Sequence, residues 1–406
     1  MMAARATARR VERLWAGTVA RVAVCAMTVL VIAACSTSRP GSWLGPNTAT
    51  TSAALAPPAV KSVTWLATTT LSRTPTGVMQ HFGGISGMDW DPASGTWFLL
   101  SDDRSEHAPA RFYTARIGIS AHGFSSVTID SVVHMKQADG SLYPGPGQGG
   151  DVPDGEALRV DPRNGHLVWT SEGDRRIGLD PWIRRMGRGG ELIGQLALPK
   201  NLAVHPDQEL GSRHNLSLEG LAYTPDGGSY WLAMEAPLYE DGPVPTVDRG
   251  AFVRFTRQPV DSPRYAQFAY PVDAIPAPGV AGRRLSDNGV SEILALDRDR
   301  LLVVERSGRE IGDRLFEFSV RLYEASVDGA TDVADVPALR EGRFKPMTKR
   351  LVLDLNKAGI GRIDNIEAAA WGPRLPDGRR TLILASDDNF APNQVNQLMI
   401  FVIEPY

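Results

Sequence analysis

Residues 216–237 read LSLEGLAYTPDGGSYWLAMEAP, and this stretch indicates the fold. A short apolar run reaches a Thr-Pro-Asp-Gly turn, and a second run rich in large apolar residues returns and ends on Glu235. Turn residues placed between two short apolar runs are typical of a β-hairpin. The stretch therefore predicts two antiparallel strands, with an acidic residue at the end of the second strand.

Four other segments repeat this pattern, so the hairpin is a recurring unit. They are residues 85–104 (ISGMDWDPASGTWFLLSDDR), 154–174, 290–308 and 365–389. Corresponding residues of successive units are 63 to 75 positions apart. Self-similarity at a nearly constant period indicates a repeat architecture, and this period is long enough for a four-stranded propeller blade with extended outer strands.

Further strands are predicted after each hairpin, and together they define the fold class. In the first unit they are residues 111–117 and 126–133, and in the third unit they are residues 251–256 and 265–272. We therefore predict an all-β protein in which residues 61–406 form a single β-propeller of four-stranded blades. Five blades are visible, and a sixth within residues 236–290 or 306–364 is an open alternative. A β-sandwich or a two-domain all-β protein is the other alternative.

The last unit contains only three predicted strands. Residues 63–71 (VTWLATTTL) precede the first unit and have the composition of a strand. We predict that this N-terminal strand completes the last blade by pairing with residues 397–404, which would close the ring.

The composition excludes several classes of protein. Of the 406 residues, 43% are hydrophobic and 22% are charged, which is ordinary for a globular chain and not for a disordered or multi-spanning one. The chain has 40 Gly and 29 Pro without a Gly-X-Y period, so they are expected in turns. The formal net charge of −3 gives no reason to expect nucleic-acid binding. Separately, we expect the protein to be a monomer.

The N-terminus has the features of an export signal. Five arginines between Arg5 and Arg21 precede the uncharged residues 22–34, a run too short to span a bilayer. The segment Ile-Ala-Ala-Cys that ends at Cys35 is similar to a bacterial lipobox. We predict that residues 1–34 are a lipoprotein signal peptide and that acylated Cys35 anchors the chain at the extracytoplasmic face of the cell membrane. An ordinary cleavage site with a chance cysteine is the alternative.

Residues 35–60 are rich in Ser, Thr, Ala and Pro. Such a composition is typical of a flexible tether. We predict that this segment links the membrane anchor to the propeller.

Superposing the five units aligns two columns of residues that are mostly acidic. The first column is Ser86, Glu156, Glu219, Glu292 and Glu367, and the second is Asp102, Glu172, Glu235, Glu305 and Asp387. In a hairpin, the start of the first strand lies beside the end of the second strand. Both columns are therefore expected at one mouth of the central channel, with Asp154 and other aspartates nearby.

Nine carboxylates at one opening repel each other, and cations relieve that repulsion. Hard oxygen ligands favour Ca²⁺, with Mg²⁺ as the alternative. The predicted metal ligands are Glu156, Glu172, Glu219, Glu235, Glu292, Glu305, Glu367, Asp102 and Asp387. The alternative interpretation is structural, since a repeated Glu can also cap backbone amides between blades.

Common enzyme motifs are absent from the sequence. There is no Gly-x-Ser-x-Gly elbow, no His-Glu-x-x-His pair, no P-loop and no dinucleotide-binding glycine motif. The seven histidines show no ligand spacing. The sequence therefore predicts neither a nucleophilic serine site nor an organic cofactor.

Short motifs in a constant order resemble the bacterial "esterase-like activity of phytase" family. They are Gly84-Ile-Ser-Gly87, Leu100-Ser-Asp-Asp-Arg104, Asp154-Gly-Glu-Ala-Leu158, Ser171-Glu-Gly173, Asn215-Leu-Ser-Leu-Glu-Gly-Leu221, Glu235-Ala-Pro-Leu238, Val304-Glu-Arg306 and Asp364-Asn-Ile-Glu-Ala368. They cover roughly residues 61–406. The resemblance implies an exported propeller and hydrolysis of phosphate or carboxylic esters.

Two functions are consistent with these observations. The first is a metal-dependent hydrolase of a small phosphoester or other ester, in which Glu219, Glu367, Arg104 and Arg306 are the catalytic residues. The second is a non-catalytic propeller of the cell envelope that binds a ligand or a partner. A carboxylate with an unfilled ligand position favours the hydrolase, whereas carboxylates fully bonded to backbone amides favour the binding protein.

Overall fold

The computed structural model describes residues 59–74, 76–283 and 286–405. This part of the chain contains twenty β-strands and no α-helix, and its helical elements are five short 3₁₀ turns: Gly77–Met79, Arg175–Ile177, Lys200–Leu202, Tyr239–Asp241 and Leu355–Lys357. None of these helical turns is long or apolar enough to span a membrane. The predicted signal peptide, Cys35 and nearly all of the predicted tether lie outside the described residues.

The strands form five sheets of four strands each, all antiparallel. Blade 1 contains β2 (Ile85–Asp91), β3 (Thr96–Ser101), β4 (Arg111–Ser120) and β5 (Gly123–His134). Blade 2 contains β6 (Gly155–Val160), β7 (Leu167–Ser171), β8 (Trp182–Met186) and β9 (Leu192–Leu196). Blade 3 contains β10 (Leu218–Tyr223), β11 (Ser229–Met234), β12 (Ala251–Pro259) and β13 (Ala266–Val272).

Blades 4 and 5 complete the ring. Blade 4 contains β14 (Gly289–Ala295), β15 (Arg300–Gly312), β16 (Leu315–Ser326) and β17 (Thr348–Asp354). Blade 5 contains β18 (Asn365–Trp371), β19 (Arg380–Asp387), β20 (Asn396–Pro405) and β1 (Val60–Leu71). The five-blade prediction is confirmed. The long segments that were considered for a sixth blade supply the outer strands of blades 3 and 4.

The predicted ring closure is also confirmed. Strand β1 pairs with β20 from Val63 opposite Ile403 to Leu71 opposite Asn396, and it begins at Val60, one residue before the predicted start of the domain. The innermost strands contact one another in the closed order β2, β6, β10, β14, β18 and β2 again. Because the two ends of the domain share one sheet, this pairing holds the ring shut.

The hydrophobic core lies between the faces of neighbouring blades. The second strands of blades 1, 2 and 3 each bury a tryptophan, namely Trp97, Trp169 and Trp231. Smaller side chains such as Ala157, Ala369 and Ala370 occupy the crowded inner strands near the axis. A blade tapers toward the axis, so small inner and large outer residues fill the space evenly.

Each inner strand contains a β-bulge near its start. The pairing register shifts at Ile85/Gly87, Gly155/Leu158, Leu218/Gly220, Val290/Glu292 and Ile366/Ala368. The bulges contain Ser86, Glu156, Glu219, Ser291 and Glu367. A bulge interrupts the alternation of side chains and redirects one of them. The bulge residues Glu156, Glu219 and Glu367 lie at one mouth of the central channel.

Candidate active site

The bulges define the true first column. In blades 1, 2, 3 and 5 it contains the residues that the sequence aligned, but in blade 4 it contains Ser291 instead of Glu292. The hydrogen bonds support this register. Ser86 Oγ donates to Gly155 O at 2.6 Å, and Ser291 Oγ donates to Ile366 O at 3.0 Å, so both serines bond the residue before the bulge glutamate of the next blade.

The second column is displaced in blade 4 as well. In the second strand of each blade, one residue pairs with the residue just before the bulge, and the next residue belongs to the second column. That next residue is Asp102, Glu172, Glu235 or Asp387 in the other blades. In blade 4 it is Arg306, because Glu305 itself pairs with Val290. The sequence alignment matched Glu292 and Glu305 by residue type in a unit that lacks the usual proline. It was therefore wrong by one position in both strands. Since side chains alternate, a shift by one residue moves each of them to a different environment.

Glu292 does not line the mouth of the channel. It lies one residue beyond the bulge, is fully buried, and its Oε2 is 2.6 Å from Arg159 Nη2. Its Oε1 accepts a hydrogen bond from Leu221 N at 3.1 Å. Glu292 is thus paired inside the channel, and the structure does not bring it to the other predicted metal ligands.

Glu305 lies between blades 3 and 4. Its carboxylate accepts hydrogen bonds from Tyr270 Oη at 2.8 Å, from Lys349 Nζ at 2.5 Å and from Asn288 Nδ2 at 3.2 Å. These donors satisfy the buried carboxylate. Glu305 therefore has a structural role in this interface, and it is also absent from the acidic mouth.

The other predicted site residues meet in one open cavity of about 990 Å³ at the channel mouth. Its lining includes eight carboxylates at or beside the bulges: Asp102, Asp154, Glu156, Glu172, Glu219, Glu235, Glu367 and Asp387. Two of the lining residues are arginines from the predicted catalytic set, Arg104 and Arg306. No lysine lines the cavity in the described part of the chain.

The carboxylates form three close groups, and in each group one oxygen per residue lies within 4.8 Å of the others. The groups are Asp102 with Glu367 and Asp387, Asp154 with Glu156 and Glu172, and Glu172 with Glu219 and Glu235. Glu172 belongs to two groups and so connects them. The three groups form a nearly continuous acidic floor around the axis.

Burial and mutual repulsion raise the pKa values of these acids. Burial, followed by repulsion from Glu219, raises the pKa of Glu156 well above its usual range. Burial raises the pKa of Asp154 to about 7 although Arg104 opposes the shift, and it raises the pKa of Glu235 to about 8 although Arg306 opposes it. The floor therefore contains more carboxyl groups than Arg104 and Arg306 can pair with, and its environment favours their protonated form when no cation is bound.

The arginines have different roles in the floor. Arg306 Nη2 donates to Glu235 Oε1 at 3.0 Å and lies 3.5 Å from Glu367 Oε1. Arg104 Nη2 donates to Asp174 Oδ2 at 2.9 Å, and its Nε lies 3.6 Å from Asp154 Oδ2. Arg306 is therefore inside the carboxylate ring, whereas Arg104 bridges the ring to its rim.

Gly84 permits the close packing of the first group. Its φ of +63° is unfavourable for residues with a side chain, and a Cβ atom there would lie 2.2 Å from Asp102 Oδ1 and 2.8 Å from Phe390 Cε2. Only glycine leaves room for both neighbours. Asp102 is thus held against the backbone of the turn that precedes β2.

Comparison with known families agrees with this geometry. The family described as "Phytase-like: Esterase-like activity of phytase" matches residues 80–390. The chain belongs to this family. The resemblance to this family that the sequence motifs indicated is therefore confirmed. The matched residues include every bulge and every carboxylate of the acidic floor. No curated protein shows significant sequence similarity to the chain.

The solved structures to which this phytase-like propeller is similar are distant from it. An endo-arabinase from Bacteroides thetaiotaomicron is 13% identical with a TM-score of 0.41, covering 80% of this chain and 95% of the arabinase. A fructofuranosidase from Schwanniomyces occidentalis, complexed with fructose, is 11% identical with a TM-score of 0.37, covering 78% and 55%. A duf4221 family member from Bacteroides vulgatus is 9% identical with a TM-score of 0.38, covering 85% and 99%. These scores are too low to support a functional inference.

Some residues that line the cavity of this phytase-like propeller were not among the site residues predicted from the sequence. Asp154 was expected only nearby, and Asn365 was not expected at all, yet both line the cavity two positions before a bulge glutamate. Because both residues stand at the same position of the repeat, aligning the repeats could have identified them as site residues. Asp287 also lines the cavity, but it lies outside the repeated segments, so the repeats gave no signal for it.

Proposed function

We propose that the chain is a metal-dependent hydrolase of phosphate or other esters and that the acidic cavity is its active site. One observation carries the proposal. Among the described residues, the carboxylates of Asp102, Glu156 and Glu219 accept no hydrogen bond from a protein donor, although each belongs to a close acidic group. Carboxylates that serve as structural caps accept backbone N–H groups. These three instead present oxygens to the cavity, as metal ligands do.

The donor set fits a divalent cation. Ca²⁺ accepts about six to eight oxygen ligands in flexible geometry, and carboxylates are its usual protein ligands. Asp154, Glu156 and Glu172 would hold one cation, and Glu219 and Glu235 would extend this site through the shared Glu172. Asp102, Glu367 and Asp387 would hold a second cation. Raised pKa values in the absence of metal are expected where acids lack a positive partner. Ca²⁺ suits this irregular, carboxylate-rich set better than Mg²⁺, which demands octahedral geometry and keeps several waters.

A bound cation would polarise an ester oxygen and lower the pKa of a bound water. The residues of the chain supply the other requirements. Arg306 and Arg104 offer N–H donors that stabilise negative charge on the ester oxygens as it develops. Burial, followed by repulsion from Glu235, raises the pKa of Glu219, and burial also raises the pKa of Glu367 although Arg306 opposes it, so we assign proton transfer to these two carboxyl groups.

The charge of the cavity restricts the substrate. Twelve acidic residues and three arginines line it, and no lysine is found among its described lining residues. A substrate with many phosphate groups would meet repulsion that one or two cations do not offset. A monoester of phosphoric acid or a neutral carboxylic ester fits the charge balance better.

The proposal is tested by a screen of simple phosphate and acyl esters with calcium, with magnesium and with a chelator. We expect turnover with a divalent cation and its loss with the chelator. Arg306→Gln should lower kcat/KM by about a hundredfold, because removing one transition-state donor typically costs 10²–10³-fold. Turnover that is unaffected by the chelator contradicts the metal requirement.

A non-catalytic binding propeller is the second candidate. Arg306 already neutralises part of the floor through Glu235 and Glu367, and Glu172 accepts a hydrogen bond from Ser217 N. These contacts support a structural role for part of the ring. Calcium binding without turnover of any ester in the screen would favour this candidate.

We propose in addition that the propeller is exported and anchored to the membrane through acylated Cys35. The support is the sequence alone: a basic segment, a short apolar run and a lipobox-like Ala-Ala-Cys. In this arrangement residues 35–60 would hold the cavity away from the membrane surface.

A further inference from the structure

The walls above the acidic floor are chemically asymmetric. Blades 4, 5 and 1 contribute apolar or aromatic lining residues, namely Phe316, Phe318, Phe390, Ala391, Pro392 and His107. Asn215 and Leu216, which precede blade 3, also line the cavity, as does Arg104 of blade 1, which donates to Asp174 of blade 2. Two aromatic pairs therefore line this side, Phe316 with Phe318 and Phe390 with His107, and polar residues of the same blades such as Arg314, Asn389 and Gln394 lie among them. We call the four aromatic residues the aromatic wall. The other side of the cavity is mainly polar.

Phe390 is held rigidly within this wall. It has a left-handed φ of 50°, which is uncommon for an aromatic residue and persists only where neighbours impose it. Its N–H donates to Asp388 Oδ1 at 3.2 Å, and Asp388 is fixed by Arg73 at 2.9 Å. The centroid of the His107 ring lies 4.4 Å from that of Phe390, and the guanidinium groups of Arg73 and Arg111 lie over the Phe390 ring at 5.5 and 5.8 Å from its centroid. The ring pair is thus oriented before any ligand arrives.

The second half of the wall comes from the hairpin β15–β16, whose strands are among the longest in the described chain. Phe316 and Phe318 lie on one face of β16, with ring centroids 6.0 Å apart and planes 25° apart. At the tip, Arg314 O accepts a hydrogen bond from Asn393 Nδ2 of the blade 5 loop. This bond joins the two halves of the aromatic wall.

We propose that the aromatic wall binds a flat apolar group of the substrate, so that the preferred substrates are aryl esters. This inference rests on the proposed hydrolase function, since the acidic floor would hold the ester group. A cavity of about 990 Å³ is far larger than a phosphate group needs, and aromatic rings bind other aromatic rings through stacked and edge contacts. Hydrolysis would break the bond between the aryl oxygen and phosphorus or the acyl carbon. Water adds hydroxide to that atom and a proton to the leaving aryl oxygen.

Binding of phosphonates tests the wall without requiring turnover. The full chain is titrated calorimetrically with phenylphosphonate and with methylphosphonate in the presence of calcium. We expect phenylphosphonate to bind about tenfold more tightly. Phe316→Leu should reduce this ratio to about twofold or less, and Phe390→Leu should act in the same direction. Phe316 has ordinary strand geometry, so its variant remains informative if the strained Phe390 variant fails to fold.

Phe344→Leu is the matched control, because Phe344 packs on Phe252 at 5.1 Å and does not line the cavity. Its selectivity should equal that of the unmodified chain. Selective phenylphosphonate binding that depends on Phe316, together with no ester turnover, would support the wall and refute the hydrolase. Ester turnover with equal binding of both phosphonates, or with a ratio unchanged by Phe316→Leu, would overturn the wall and leave the hydrolase standing. Failure of both phosphonates to bind would also overturn the wall.

Discussion

Arg159 and Glu292 form an ion pair across the axis of the propeller, with 2.6 Å between Arg159 Nη2 and Glu292 Oε2. The two residues belong to the inner strands of blades 2 and 4, which are not neighbours in the ring. Arg159 also donates to Met88 O of blade 1 at 2.7 Å, and Glu292 accepts from Leu221 N of blade 3 at 3.1 Å. One buried pair therefore connects four of the five blades.

This pair predicts a large stability effect that is separate from the acidic cavity. Arg159→Met should lower the free energy of unfolding by about 3–5 kcal/mol, because it leaves the Glu292 carboxylate buried without its partner. Arg159→Met combined with Glu292→Met should recover part of that loss. Urea unfolding provides the measurement. Arg379→Met, which removes an exposed pair with Asp377, is the control and should leave the midpoint unchanged. A double variant less stable than Arg159→Met would contradict this account.

Much of the fold could be predicted from local sequence. The site residues of blade 4 could not. Asp-Pro and Pro-Asp-Gly turns between apolar runs identify each hairpin because turn chemistry acts over a few residues. A β-bulge depends on how two strands pair, and no residue type marks it. Glu292 and Ser291 therefore could not be distinguished from sequence, although one lies inside the channel and the other occupies the bulge.

The aromatic wall illustrates a second limit. Phe390 and Phe316 are 74 residues apart in the sequence, and they share a cavity only because the ring places blades 4 and 5 side by side. By contrast, Arg306 was expected near the acidic residues because it directly follows a repeated strand end. The sequence therefore predicted which residues of one repeat lie close together. It did not predict which loops of different blades line the same cavity.

The raised pKa values predict how stability depends on pH without metal. Burial raises the pKa of Asp154 to about 7 and that of Glu235 to about 8, above the value near 4 expected in the unfolded chain. The folded state then binds more protons, so this stabilising contribution is complete below about pH 4 and is lost as pH rises through 7 and 8. The melting temperature in chelator should fall between pH 5 and pH 8.5.

Calcium should reverse this trend, because a cation binds the ionised carboxylates and competes with protons. The increase in melting temperature caused by calcium should be larger at pH 8.5 than at pH 5. Asp154→Asn combined with Glu235→Gln should flatten the profile measured in chelator. A metal-free melting temperature that rises across this range would contradict the assignment of protons to the acidic floor.

Gly84→Ala should damage the first carboxylate group. The added Cβ would lie 2.2 Å from Asp102 Oδ1, so the carboxylate must move, and calcium affinity should fall by about tenfold. Gly147→Ala is the matched control, since its φ of +78° imposes similar backbone strain but no atom lies within 4 Å of the new Cβ. Calorimetric titration compares the two variants. Equal calcium affinities would show that Asp102 is not held by this contact.

The anchor is tested by Cys35→Ala. The unmodified chain should fractionate with membranes, whereas the variant should be released or retained as an uncleaved precursor, because only the cysteine thiol can receive the lipid. Immunoblotting of membrane and soluble fractions gives the result. Identical processing and fractionation of the two proteins would refute lipidation at Cys35.

The central claim is that the acidic floor binds a divalent cation through its carboxylates, and a calcium titration of the chelator-treated protein tests it most directly. We predict saturable calcium binding to the unmodified chain. Glu219→Gln combined with Glu367→Gln should weaken it by at least about tenfold, because each substitution removes a charged oxygen ligand. Glu305→Gln should change the affinity little, since Glu305 lies outside the floor. Absence of calcium binding, or equal binding by the unmodified chain and the Glu219→Gln, Glu367→Gln variant, would contradict the claim.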